Sequence, residues 1–265
     1  RQVIKWKSRL DPFRTAQDER QPIHASYRIR TSHQVDVSLA AWIITKHCYD
    51  RGSGQWDVRR IGAPSPSFCL QFELEDGDTV EYRGAHIDEI QISCTEGSAV
   101  TMELSWQALS RVAGEAIDTA TQTWTSREAV STNESAATFI TGSLTNRATD
   151  AIPAYSAEWI MRRNLQPVHF GPDGQASAIS DAPWEILAEL VFPAGALTEQ
   201  AEQGQTGAFG LWIGSAGSDL ALTSDRVKGF LQDEPLKSPE LRDHQLAFEF
   251  RSSTTGRLLN VAVTI

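Results

Sequence analysis

The sequence predicts a mainly β protein, an antiparallel β-sandwich with one flanking helix. Three observations predict it. Apolar and polar residues alternate with period two through Phe68, Leu70, Phe72 and Leu74, through Val100, Met102, Leu104 and Trp106, and through Trp184, Ile186, Ala188, Leu190 and Phe192. Such alternation marks strands with one buried face and one wet face. Short turn signals separate the runs, among them Asp76-Gly77-Asp78, Glu96-Gly97-Ser98 and Gly217-Ser218-Asp219. They leave no room for a parallel crossover. Only one stretch, from Asp36, has apolar residues at helical spacing.

Residues 1–34 form a basic N-terminal arm. Within 1–30, eight basic residues face three acidic ones, so this end is positive while the whole chain carries a formal charge of -10. Pro12 and Pro22 discourage a long helix. The arm reads either as a solvated tail or as a segment laid on an acidic neighbouring copy, with Lys5, Lys7, Arg9 and Arg14 as the inter-subunit contacts.

Residues 35–112 form a first β domain. Asp36 or Ser38 caps a helix of about three turns, with Leu39, Trp42 and Ile43 on its apolar face and Arg51-Gly52 and Gly54 ending it. A short strand over Trp56–Ile61 follows. The run from Ser67 to Trp106 then supplies three or four strands in a meander, with Gly84 allowing a bulge or corner. Residues 113–137, rich in Ala, Thr, Ser and Glu, read as a linker.

Residues 138–265 form a second β domain. Strands are expected at Thr138–Leu144, Tyr155–Met161, Trp184–Phe192, around Leu211 and Ile213, at Leu220 and Leu222, at Leu246–Phe250 and at Leu258–Ile265. Gly171-Pro172-Asp173-Gly174 reads as a turn, as does Gly214-Ser215-Ala216-Gly217, which lacks the Lys-Ser/Thr ending of a phosphate loop. The second domain echoes the first. Leu70 and Asp78 recur as Leu211 and Asp219 at an offset of 141, and Ile87 and Ile90 as Val227 and Phe230 at 140.

Motifs for chemistry are absent. No pair of the six histidines is spaced as a metal motif, no GxSxG elbow occurs, and Cys48, Cys69 and Cys94 form no CxxC. The cysteines read as small buried hydrophobes. Glu73, Glu75, Asp76 and Asp78 lack the spacing of a calcium loop and read as solvated turn charges. With 34 acidic against 24 basic residues, the chain is poorly suited to gripping nucleic acid. No apolar run approaches the roughly 18 residues of a membrane span, and no signal peptide is visible.

The order of strand, Gly-Asp turn, Tyr82-x-Gly84, Ile87-x-x-Ile90-x-Ile92, Gly97 turn and long alternating strand resembles the core hairpins of siphophage tail tube proteins (major tail proteins). The resemblance covers residues 35–110 well and 138–265 less well. It implies a tail-tube fold, here as two tandem tube-like domains. It also implies a structural virion protein, located in the tail and assembled in the host cytoplasm. Such proteins stack as rings into a conduit for phage DNA, which makes only transient, non-specific contact with the lumen. The partners implied are further copies, in trimeric pseudo-sixfold or hexameric rings, and other tail proteins, with no membrane, cofactor or catalytic residue. The tube wall falls on Phe72, Leu74, Asp76, Gly77, Asp78, Val80, Tyr82, Val100, Met102 and Leu104. The alternatives are a terminal or adaptor protein of the same fold and a carbohydrate-binding β-sandwich, for which the eight tryptophans supply stacking surfaces.

Overall fold

A computed structural model describes residues 2–6, 26–74, 76–114, 130, 135–140, 144, 155–169, 176–193, 204, 206–231, 243–253 and 256–264. Among them it has one helix and 17 strands. The class is mainly β with predominantly antiparallel pairing, consistent with a sandwich. One pair departs from this: β1 (Gln2–Trp6) runs parallel to β5 (Phe68–Glu73).

Two long strands organise the rest. The first, β6 (Thr79–Thr95), pairs along one side with β7 (Thr101–Ala108) and β8 (Ser110–Ala113). On its other side β5 meets its beginning and β10 (Ser156–Arg162) its end. The second, β15 (Ser218–Leu231), pairs on one side with β14 (Thr206–Ser215). On the other side β17 (Arg257–Thr264) meets its beginning and β16 (Asp243–Phe250) its end. Each long strand therefore belongs to two sheet regions and turns between them.

The turns are bulges. In β6, Gly84 has φ +62°, and the register against β5 slips opposite it. A second slip, against β7, lies between Ile87 and Glu89. The buried residues change parity there: Ala85 and Ile87, then Ile90, Ile92 and Cys94. In β15 the slip lies between Ser224 and Val227. A bulge inserts one unpaired residue, bends the strand and keeps the apolar side facing inward on both sides of the bend.

One wide antiparallel sheet results, in the order β2 (Tyr27–Gln34), β7, β6, β10, β13 (Glu185–Pro193), β16, β15, with β14 continuing it at Thr206 and Gly207. The opposing layer holds β1, β5, β8 and the first part of β6, together with β17, β4 (Gln55–Arg59) and β3 (Tyr49–Gly52). The core between the layers is one cluster drawn from both halves of the chain. Phe68 meets Trp106 edge-on at 5.4 Å, and Phe209 lies 5.5 Å from Phe248. The expected linker, 113–137, falls mostly outside the described residues. Val130 within it is buried and hydrogen-bonded to the backbones of Val35 and Val100. β9 (Ala136–Ile140) then pairs with β14. The turn at 171–174 and part of the 194–207 loop also lie outside the described residues.

The helix, α1 (Val37–Thr45), starts where the sequence places it. Asp36 caps it by accepting a hydrogen bond from the Leu39 amide at 2.9 Å, a contribution of about 1 kcal/mol. Its expected face is met at Ile43 and at Leu39, which packs against the core, but not at Trp42. Val37, Ala40, Ala41, Ile43 and Ile44 are buried, while Leu39 is half-buried and Trp42 is exposed. Small alanines let the helix approach the sheet closely. Val37 Cγ2 would stand 2.7 Å from a Cβ placed on Gly214 of the β14–β15 hairpin. Arg51-Gly52 and Gly54 do not end the helix. They form the β3–β4 turn, in which Gly52, Ser53 and Gly54 all have positive φ.

Gly84 and Gly77 give a test of the bend. Both have positive φ, but a Cβ on Gly84 would meet Leu109 Cδ1 at 2.9 Å, whereas one on Gly77 would meet nothing within 4 Å. Gly77→Ala should cost about 1 kcal/mol and Gly84→Ala about 2 kcal/mol or more. Urea unfolding checks this: the midpoint should fall further for Gly84→Ala, with an unchanged slope.

Candidate assembly surface

The wide sheet buries one face and presents the other. Inward go Met102, Leu104 and Trp106 of β7, Ile90 and Ile92 of β6, Trp159 and Met161 of β10, and Ile186, Ala188 and Leu190 of β13, all buried, as is Val100 just before β7. The alternate residues point outward. Register sets Ser93, Glu158, Glu189 and Ala247 in one row across β6, β10, β13 and β16. A neighbouring row runs Glu103, Gln91, Ile160, Leu187 and Glu249. A third holds Arg30, Ser105, Glu89, Arg162 and Glu185.

This outward face is acidic at its centre. The Glu158 carboxyl is raised above the ordinary glutamate range, first by partial burial and then by Glu189, Glu103 and Glu89. Four carboxylates thus lie within mutual electrostatic reach on one face. Gln91 Nε2 donates to Glu158 Oε1, and Arg162 Nε pairs with Glu185 at 2.9 Å. Lys228 and the exposed ring of Phe230, 4.9 Å apart as a cation–π pair, lie toward the β15 end. Arg28 and Arg30 lie exposed on β2 at the opposite end.

No family model matches the chain. Nor does any curated protein match it.

The sequence-predicted wall residues divide between the layers. Met102 and Leu104 are in the wide sheet, fully buried on its core side, and Val100, just before β7, is fully buried as well. Phe72, Leu74, Val80 and Tyr82 lie beyond the Gly84 bend, with β5 and the start of β6, so they fall in the opposing layer. There Tyr82 packs edge-on between Tyr27 and Phe72, each centroid 5.8 Å away. Asp76, Gly77 and Asp78 form the exposed β5–β6 turn, in which the Leu74 amide donates to Asp78 O and the Gly77 amide to Leu74 O. The long hairpin within the wide sheet is instead β6–β7, closed by Glu96-Gly97-Ser98. Lys5 lies in β1, which pairs with β5 of the same chain; Lys7, Arg9 and Arg14 lie outside the described residues. The outward carboxylates Glu89, Glu103, Glu158 and Glu189 escape a reading that follows the apolar members of each strand. Their signal is the other half of the same alternation.

Among the described residues, no group of three or more His, Cys, Asp or Glu side chains is placed to hold a metal ion, and no helix is long and apolar enough to cross a membrane.

A raised carboxyl pKa means that the folded state binds a proton more readily than the unfolded chain. Glu158 therefore opposes folding increasingly as pH rises from the ordinary carboxylate range toward neutrality. Glu158→Gln, which keeps an acceptor for Gln91, should stabilise the protein at pH 7 by a few tenths of a kcal/mol after solvent screening. The gain should vanish below about pH 4 and shrink in high salt. Thermal melts at two pH values and two salt concentrations check it.

Proposed function

We propose that this protein is a structural self-assembly subunit, a virion protein whose copies join edge to edge into rings that stack as a phage tail tube. The observation that carries the reading is the order of the wide sheet. Across it, the quartet β2–β7–β6–β10 is followed by the quartet β13–β16–β15–β14. In both quartets the chain reaches the first position before the third and the third before the second, but the fourth comes last in one (β10) and directly after the first in the other (β14). In both, the third strand is the long bent one, and a later strand (β8 or β17) returns to pair with its beginning. The sequence echo and the sheet order agree in setting β15 against β6, while the echo sets β14 against β5 and the sheet order sets it against β10.

Direction matters as well. Neighbours alternate throughout the eight strands, so the last runs opposite to the first. Joining β14 of one copy to β2 of the next would repeat the antiparallel β10–β13 junction already present within the chain. Among the described residues β2 is bonded to β7 alone. β14 gives Ala208–Trp212 to β9, leaving its beginning toward this junction. Unpaired edges invite added strands, and identical head-to-tail joins close into a ring when the rotation allows. Two similar quartets per chain favour three copies with pseudo-sixfold symmetry over six.

The acidic outward face suits the inside of such a ring. Like charge keeps a DNA phosphate backbone from adhering as it passes. The carbohydrate-binding alternative draws less support, because Trp106, Trp159, Trp184 and Trp212 are buried and cannot stack on sugars from outside.

Negative-stain images of the purified full chain at high concentration should show rings or hollow tubes about as regular as their subunit count allows. A monomer that stays monomeric at the highest soluble concentration, by sedimentation as well as by imaging, overturns the reading.

A further inference from the structure

A small two-stranded sheet stands apart from the main one. β11 (Gln166–His169) and β12 (Ala176–Ser180) pair only with each other among the described strands. Both of its ends are fastened at one place. On the incoming side, the Arg163 amide donates to Asp88 O at 2.8 Å and the Leu165 amide to Asp88 Oδ1 at 3.0 Å. On the outgoing side, the Trp184 amide donates to Arg60 O at 3.0 Å. Arg163 closes the base. Its Nη1 donates to Asp181 Oδ1 at 2.9 Å, its Nε to Ile87 O at 2.9 Å, and its guanidinium lies 4.4 Å from the Trp184 ring centroid.

Two histidines border this clasp. His47, fully buried, meets Trp184 edge-on at 5.4 Å, and neither of its ring nitrogens has a well-formed hydrogen bond, although the Pro64 backbone lies close enough to favour its charged form. His86 Nδ1 lies 3.2 Å from Ser65 Oγ. Arg163 Nη2 is likewise buried and unpartnered. The charged groups acting on the imidazoles are Arg163 and Asp181, with His86 also acting on His47 and Asp88 acting on Arg163 in turn. The guanidinium, a permanent cation, already engages the one carboxylate that favours a protonated His86.

We propose that the Arg163–Asp181 clasp, with His47 and His86 beside it, is an acid-released latch that holds the β11–β12 hairpin to the body. A proton on either imidazole adds positive charge beside Arg163, and neither the Pro64 backbone near His47 nor Asp181, already engaged by Arg163, offsets it. Relief comes by parting Arg163 from Trp184 and His47, which frees the base of the hairpin. The sign follows from the direction of both shifts. Burial first, then Arg163, lowers His47 to about 3 and lowers His86 below the ordinary histidine value. The closed latch is therefore fully stable above about pH 6.5 and weakens as pH falls from there toward the lowered values. The latch does not depend on the tube reading, because it concerns one chain.

Amide hydrogen exchange on the full chain tests it. After correction for intrinsic rates, protection at Leu165 and Trp184 should fall about tenfold or more from about pH 7 to about pH 4.5. Ile90, Ile92 and Leu104 of the wide sheet should keep theirs. His47→Phe, which retains the ring contact and removes the titration, should abolish most of the fall, and His86→Gln part of it. If His47→Phe does not fold, the half-exposed His86→Gln carries the comparison. Equal loss across the whole sheet, no loss at Leu165 and Trp184, or an undiminished loss in the folded variants each overturns the latch.

Discussion

Everything in this fold depends on two strands that are too long for one sheet. A strand that alternates apolar and polar residues offers one face to a core. To serve a second sheet region, packed on the first, it must bend without exchanging its inner and outer faces. β6 and β15 do this by adding a residue at the bend. The parity of the buried set changes between Ile87 and Ile90, and again between Ser224 and Val227. Without those extra residues each strand would turn its apolar side to solvent halfway along. With them, one core receives Phe68 and Trp106 from the first half and Phe209 and Phe248 from the second.

That device was partly legible in the sequence. Gly84 reads as a corner because only glycine adopts positive φ freely there. The Ile87–Ile90 spacing of three, inside a run otherwise spaced by two, is the trace of the second bulge. The pairing that merges the halves left no such trace. β4 (Gln55–Arg59) joins β17 (Arg257–Thr264) from far along the chain, and β10 joins both β6 and β13. Register between distant strands is decided by which faces must be buried together, and each strand alone states only its own alternation. The helix shows the same limit. Its cap was readable from Asp36 and its inward side from Ile43, but the sequence did not show that Val37 would reach Gly214 or that Ala40, Ala41 and Ile44 would be buried while Trp42 stays exposed.

The acidic face was legible only in its complement. Following Val100, Met102 and Leu104 identifies the wide sheet correctly but names its core side. The residues available to another molecule are those between them, such as Glu103, and their equivalents Glu89, Glu158 and Glu189 on neighbouring strands. Clustering of those four carboxylates arises from register across three separate pairings. No window of sequence contains it.

The edge of β2 and the centre of the sheet make opposite electrostatic demands, and the proposed assembly satisfies both. A bare edge on a long sheet is a hazard unless charge discourages indiscriminate pairing. Here Arg28 and Arg30 stand exposed on the edge strand, while carboxylates repel one another from the next strand, β7, inward to β13. Two copies meeting edge on edge at β2 bring arginines against arginines, which disfavours a closed pair. A copy meeting β2 by its β14 side brings one cation, Lys228 of the adjacent strand, in place of two arginines, with Phe230 beside it. Head-to-tail joining thus leaves the repulsive acids spread around a widening ring, and face-to-face stacking of two sheets would press them together. A curved, closed arrangement with the acids on an open interior relieves that repulsion, since water and counterions can fill the space between them.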